Sequence, residues 1–438
     1  MFQYDMLARS LAGGNGFRWY MPVDLARLAP YLHLDLAGLQ LDPRGMLTTF
    51  RAPLYPAFLA IIYYVNGIND GRFFAARLCQ AVIGALLAPL TYHTAAYLLP
   101  DHEKARRIAA LIVAAYPMYL IFPIALATEN LFFLLVLLAV LALLRAARKP
   151  TTARWLVAGL CLGLAALTRS IILLFAGGAL LWIWMVVKQP RGAILAFLML
   201  AATTAPWVIR NSLISHHLTG IETSLGYNLY VGYHPQSTGT FTFGPSLDLL
   251  SILDDRTRDE IGTQKAIQFI RQDPARFPYL LLRRTGYFFD LELRAFTYFY
   301  VNNFLGIFAP LLLAATLLVL AVPFVIVSLS AVFGSAMLPA QPGRTLLLVL
   351  FVGYLLPNVL ILSEERFHLV LIPYLAILAG IFWTRGLTLL RPPNWALVRT
   401  LTAIALLLVL NWGYQLALFA PTLSQMFGPQ GNQLFLPY

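Results

Sequence analysis

The sequence predicts an all-α polytopic membrane protein, on three observations. Hydrophobic residues make up 60% of the 438-residue chain and charged residues only 11%, against about 25% charged in a soluble domain. Mean hydropathy is +0.73, so lipid must serve as part of the solvent. Ten apolar runs of spanning length can be read directly, and the basic residues concentrate in alternate connections between them.

The ten runs lie near 76–98, 106–123, 128–144, 154–168, 171–187, 193–209, 305–331, 344–362, 368–384 and 395–420. The fourth and fifth are separated at Thr168-Arg169-Ser170, because one long helix with an arginine at its middle would be costly in lipid. Segment 55–66 is apolar but too short to span, and reads as an interfacial or re-entrant piece. Alternation puts the connections at 99–105, 145–153, 188–192, 332–343 and 385–394 on one side. With their flanks these hold 13 Lys and Arg against Asp101 and Glu103. The formal charge of +12 therefore sits almost wholly on one face, which the positive-inside rule makes cytoplasmic. The split at Arg169 is also what makes this parity work. A basic pI of 9.8 then signals orientation and gives no reason to expect a nucleic-acid partner.

Five regions follow: a first extracytoplasmic loop over 1–75 with its amphipathic piece, helices over 76–209, a large extracytoplasmic loop over 210–304, helices over 305–420, and a tail over 421–438. Within the large loop a helix is expected over Thr257–Gln272, ending at Asp273-Pro274. A polar N-terminal segment of this length crosses a membrane most readily behind a preceding helix, so one further helix is expected upstream. Cys79 and Cys161 both fall in apolar runs, and His216-His217 is the only histidine pair. Neither pattern suggests a metal site, although a divalent-ion requirement stays open.

The residues facing the extracytoplasmic side form an ordered set: Tyr4-Asp5-Met6-Leu7-Ala8, Arg51-Ala52-Pro53-Leu54-Tyr55-Pro56, Thr128-Glu129-Asn130, Leu167-Thr168-Arg169, Pro206-Trp207-Val208-Ile209-Arg210-Asn211, Gly226-Tyr227-Asn228 and Glu365-Arg366-Phe367-His368. In order and spacing this set resembles the membrane glycosyltransferases of the protein-mannosyltransferase and aminoarabinose-transferase type, which have the GT-C fold. The resemblance implies about a dozen helices and an inverting transfer of sugar from a polyprenyl-phosphate donor to a protein, lipid or cell-surface glycan acceptor. It places the site on the extracytoplasmic face; the scarcity of lysine beside arginine points to a GC-rich bacterial gene, and so to a bacterial plasma membrane. It also implies an aspartate base about four residues before the tyrosine that Tyr4 matches, a position ahead of Met1. Asp5 is the nearest carboxylate to it.

Physical readings accompany the resemblance. Glu129 is the only acid inside an apolar run, so it should be partnered or catalytic; a helix N-terminal charge is the plainer account. Arg51, Arg169, Arg210 and Arg366 all fall at membrane boundaries, where guanidinium groups can hold a donor phosphate or simply snorkel to headgroups. Tyr55, Tyr227 and Asn228 could line a sugar pocket, and tyrosines equally form interface belts. A transporter or flippase for a lipid-linked or polar solute is the rival class, and it would favour paired midplane charges and internal repeats; neither is visible. A catalytically inactive relative is the third possibility.

Overall fold

The computed structural model describes residues 2–28, 42–301, 309–386 and 394–428. Residues 302–308, with the end of the large loop and the opening of the seventh expected span, lie outside the described residues. So do Arg391 with its neighbours and the tail beyond 428. The first loop holds α1 (Phe2–Ala12), β1 (Arg18–Trp19), α2 (Pro22–Leu28), β2 (Met46–Leu47) and α3 (Leu54–Asn66). The two strands pair antiparallel, Arg18 opposite Leu47 and Trp19 opposite Met46. Then come α4 (Arg72–Leu98), α5 (Glu103–Ala115), α6 (Pro117–Ile121), α7 (Glu129–Arg148), α8 (Thr152–Thr168), α9 (Leu173–Met185) and α10 (Pro190–Ser215). The large loop contributes α11 (Leu225–Tyr233), α12 (Phe243–Asp248), α13 (Asp255–Gln272), α14 (Arg276–Phe288) and α15 (Leu293–Val301). The remaining helices are α16 (Pro310–Ser335), α17 (Pro342–Ile361), α18 (Ile372–Arg385) and α19 (Trp395–Met426).

All ten expected runs are helical over their described residues. Among the described residues seven helices are long and apolar enough to cross a membrane, and the α5–α6 pair makes an eighth if it is one span. Helices α8 and α9 are shorter, at 17 and 13 residues. The α5–α6 pair bends by 49°, which the reading of 106–123 as one uninterrupted run did not anticipate. The cause is local: Tyr116 precedes Pro117, and proline drives the residue before it out of the helical region. Tyr116 is accordingly extended, at φ −69° and ψ 118°. The backbone at Arg169 is likewise extended, with φ −149° and ψ 113°, and a single 3₁₀ turn over Ser170–Ile172 leads into α9.

Helices α7 and α18 form the centre of the bundle, while α4 and α19 expose Phe74, Leu78, Val82, Leu406, Leu407 and Leu410. Lipid tails are as apolar as leucine, so close packing of small residues must hold such helices together. Helix α8 carries Gly159 and Gly163 four apart against α10; a Cβ on Gly159 would stand 2.2 Å from the Ala196 carbonyl oxygen. Gly334 on α16 meets Leu378 of α18 in the same way, at 1.9 Å.

Both long loops gather at the bundle end opposite the basic connections, and they form one layer. Asp255 of α13 accepts from the Thr48 hydroxyl (2.6 Å) and the Thr49 N–H (2.7 Å), and the Thr223 N–H donates to the Thr49 carbonyl at 3.0 Å. Arg258 pairs with Asp255 and lies 4.3 Å over the Phe50 ring. Arg284 of α14 is fully buried and donates to the Leu360 (2.9 Å) and Gly232 (2.7 Å) carbonyls. It thereby satisfies a carbonyl in the last turn of α17, which that helix cannot satisfy itself.

Asp5 lies in this layer, 6% exposed. It accepts from Arg9 Nε (2.9 Å), Arg72 Nε (2.9 Å) and the Tyr63 hydroxyl (3.0 Å), and Arg9 goes on to Asp24 at 2.6 Å. Burial alone would raise this carboxyl, but the hydrogen bonds and charges of Arg72 and Arg9 outweigh it and hold Asp5 below its ordinary value of 3.8. A carboxylate depressed in the fold contributes its full stability above its unfolded pKa and loses it as pH falls through the folded value. Acidification below about pH 4 should therefore loosen α1 from α3 and α4. Thermal midpoints of the wild type and Asp5→Asn, followed from pH 7 downward, check this: the acid-dependent fall should be smaller in the variant, and identical slopes would refute it.

Candidate active site

The site is built where α7 begins, α8 ends and the 3₁₀ turn Glu365–Leu371 enters α18. Asn130 Nδ2 donates to the Phe122 carbonyl at 3.0 Å and fixes the start of α7. Glu129, in the first helical turn, is 4% exposed. The Thr128 hydroxyl reaches its Oε2 at 3.2 Å, and Arg169 donates from Nη1 to its Oε1 at 3.0 Å. The extended backbone at Arg169 aims this side chain back across the end of α7, where it lies 5.0 Å over the Phe367 ring. Arg366 approaches the same Glu129 oxygen at 3.6 Å and forms an ion pair with Glu364 at 2.9 Å. Arg294 is 3.7 Å from Glu364.

What holds the Glu365–Leu371 turn is equally specific. Glu365 accepts the N–H groups of Arg294 (2.5 Å) and Ala295 (3.2 Å) at the start of α15. His368 is fully buried, stacked 4.0 Å from Phe324, with Nδ1 2.9 Å from the Phe288 carbonyl and Nε2 3.0 Å from Glu292. A carbonyl only accepts, so Nδ1 carries a proton. Glu292 sits at φ 61°, a left-handed conformation that a non-glycine residue adopts at a cost.

Tyr4 joins this cluster to the first loop. It lies within electrostatic reach of Arg169 and Arg366 and packs edge-on to Tyr55 at 5.3 Å. Arg51 stands 5.8 Å from the Tyr4 ring and 4.6 Å from Phe50, with Nε and Nη2 both donating to Gln3 Oε1 at 2.9 and 2.8 Å. No carboxylate pairs with Arg51 among the described residues. Arg169, Arg294 and Arg366 face Glu129 and Glu364, with Glu222 beside Ser170 as a third carboxylate, so the excess positive charge of the cluster rests on Arg51. The side chains of Arg169 and Arg366 are 21% and 43% exposed. Such an arrangement can receive an anion, because planar guanidiniums already held in place offer paired donors to phosphate oxygens.

Of the residues singled out from sequence, Glu129, Arg169 and Arg366 are brought together, with Arg51 beside them across Tyr4. The others go elsewhere. Arg210 donates to the Thr48 (2.6 Å) and Phe17 (3.2 Å) carbonyls and stacks 4.6 Å from Trp207, so it clamps the first loop. Asp5 is locked in the ion-pair network described above. Tyr55 is fully buried and donates to Gln80 at 2.8 Å. Tyr227 donates to the Ser246 carbonyl at 2.9 Å and packs on Phe50; Asn228, next to it on α11, is half-buried. Glu222 escaped notice in the sequence because it lies in an irregular loop without periodicity. It accepts from the Ser170 N–H (3.3 Å) and hydroxyl (2.5 Å). Among the described residues no group of three or more His, Cys, Asp or Glu converges as a metal site would require.

An apolar groove of about 910 Å³ lies between α9, α10 and α17. Leu173, Leu174, Trp184, Phe197 and Val352 are among its walls, and Leu173 is four residues from Arg169.

Residues 51–209 match the family model described as dolichyl-phosphate-mannose-protein mannosyltransferase. No curated protein matches the chain. Among solved structures, the Archaeoglobus fulgidus oligosaccharyltransferase in complex with zinc and sulfate is similar at 14% identity and a TM-score of 0.50, over 93% of this chain and 46% of that one. ArnT from Cupriavidus metallidurans in the apo state is similar at 14% identity and a TM-score of 0.37, over 86% and 72%. The same protein bound to undecaprenyl phosphate gives 13% identity and 0.37, over 88% and 73%. This chain thus spans less than half the length of the archaeal enzyme. The resemblance read from the ordered motifs is supported: the chain is an integral membrane protein with the GT-C fold, and residues 51–209 match the mannosyltransferase family model.

Proposed function

We propose that the chain transfers a sugar from a polyprenyl-phosphate donor to a protein, lipid or cell-surface glycan acceptor at the extracytoplasmic membrane face. The observation that carries this reading is a cluster of guanidinium groups, Arg51, Arg169 and Arg366, with an apolar groove whose wall begins at Leu173, four residues on from Arg169. One ligand matches both halves: an anionic phosphate with a long hydrocarbon tail. The family model over residues 51–209, named for a dolichyl-phosphate sugar, supports the same donor class, and the basic connections at the opposite end support the orientation.

The chemistry is a single displacement with inversion. An acceptor oxygen or nitrogen attacks the anomeric carbon, the carbon–oxygen bond to phosphate breaks, and the acceptor proton passes to a base. Arg169 and Arg366, with Arg51 at the side, stabilise charge growing on the leaving phosphate. Glu129 keeps two of those guanidiniums aimed and separated.

Native mass spectrometry with undecaprenyl phosphate, followed by transfer assays in membranes with radiolabelled mannosyl, glucosyl and galactosyl undecaprenyl phosphates, tests the reading. Binding and transfer are the expected results. Binding without transfer of any sugar would support the inactive relative, and absence of both would overturn the proposal.

A further inference from the structure

Resting on that reading, we infer that Glu222 recognises the donor sugar, its second carboxylate oxygen accepting hydrogen bonds from sugar hydroxyls beside the phosphate held by Arg169. The loop that presents Glu222 is pinned on both sides. Asn211 Nδ2 donates to the Gly220 (3.0 Å) and Ile221 (2.9 Å) carbonyls, and Trp207 Nε1 donates to Ile221 at 3.0 Å. On the other side the Thr223 N–H meets the Thr49 carbonyl at 3.0 Å, and the two threonine hydroxyls are also 3.0 Å apart. Ser170, the residue next to Arg169, occupies Oε1 with its N–H and its hydroxyl. Among the described residues Oε2 has no partner, and the side chain is half-buried, so this oxygen is fixed in place and open.

Its neighbours make the choice of ligand. Glu129, Glu364 and Asp5 at the same end of the bundle are each paired with arginine, whereas Glu222 forms no ion pair among the described residues. It still lies close enough for Arg169 to feel its charge. A bare carboxylate beside a phosphate site works against binding of phosphate alone. It favours a phosphate that carries donors, because a carboxylate only accepts hydrogen bonds and sugar hydroxyls supply them. Preorganisation by the surrounding hydrogen bonds is what makes such a contact selective.

Competition binding on the full chain in detergent decides the matter, with undecaprenyl phosphate and its mannosyl, glucosyl and galactosyl esters as probes. In Glu222→Gln the amide oxygen still accepts from Ser170, so the loop anchor survives while the charge is lost. The variant should bind its preferred sugar ester about 10- to 100-fold more weakly, as expected for a hydrogen bond to a charged group. Its affinity for undecaprenyl phosphate should hold or improve. Glu222→Asp, which withdraws the carboxylate by one methylene, should weaken the same ester and provides the comparison if the glutamine variant does not accumulate. Unchanged discrimination among the esters in these variants would overturn the inference. So would a wild type that binds the esters no better than undecaprenyl phosphate. A wild type that binds none of the four probes would instead overturn the donor reading on which the inference rests.

Discussion

Glu129→Gln is expected to lower sugar transfer by at least about 100-fold, the scale seen when one preorganised electrostatic group is removed from an active site. The substitution keeps the shape and one acceptor for Arg169 but removes the charge that draws Arg169 and Arg366 to a common point. The two guanidiniums then repel without a mediator, and the pair that should grip the leaving phosphate loses its spacing. The fold also pays, because Arg169 keeps its charge in a mostly buried place. Breaking a fully buried pair costs about 3–5 kcal/mol, and the 21% exposure of the Arg169 side chain brings the expectation to about 2–3 kcal/mol. Initial transfer rates, read beside a thermal unfolding scan, separate the two effects. Arg169→Gln should cost a similar factor, and the double variant little more than either alone, since the residues act as a unit. Full activity in Glu129→Gln would end the role given to this residue.

Gly159→Leu should prevent accumulation of folded protein. A Cβ at this position would stand 2.2 Å from the Ala196 carbonyl oxygen and 2.9 Å from its Cα, and backbone cannot step aside as a side chain can. Relief requires α8 and α10 to move apart along their seam. Gly163 would lose its contact with Thr203 at the same time, and small-residue packing of this kind is what binds helices in lipid. Because α8 ends at Arg169 and α10 carries Arg210, any partly folded survivor should lose donor binding too. Yield of monodisperse protein after extraction measures the effect. Gly177, where a Cβ would meet nothing within 4 Å, supplies the control: Gly177→Ala should behave as wild type, and equal yields for Gly159→Leu would refute the seam.

The spans were legible because length and hydropathy are local properties, and the division at Thr168-Arg169-Ser170 because a charge in mid-membrane is expensive. The helix expected over Thr257–Gln272 appears as Asp255–Gln272, capped by the Asp254 side chain on the Thr257 N–H at 2.7 Å. The bend at Tyr116-Pro117 could have been read from the proline, but helices in membranes often carry proline without breaking; α10 continues through Pro206. The site was legible in part. Glu129, Arg169 and Arg366 each stood out as ions at an apolar boundary. Arg210 showed the same signature yet is spent on backbone carbonyls of the first loop, because a boundary arginine looks alike whatever it touches. Tyr55 likewise carries nothing in its surroundings that distinguishes a sealed ring from a pocket wall. Glu222 depends on contacts between residues about 50 positions apart, which no local pattern encodes.

The joining of the two loops through Thr48, Thr49, Thr223 and Asp255 has a consequence for how the protein can change. Neither loop keeps its shape without the other, since the backbone of one completes the hydrogen bonds of the other. A chimera that exchanges the large loop alone for that of another enzyme should therefore lose the Arg51–Tyr4 side of the site as well as the segment exchanged. New substrate preferences are more readily reached by single replacements along the pinned strip from Gly220 to Ser224, or by grafting both loops as one unit. The membrane helices beneath could then serve as a common chassis.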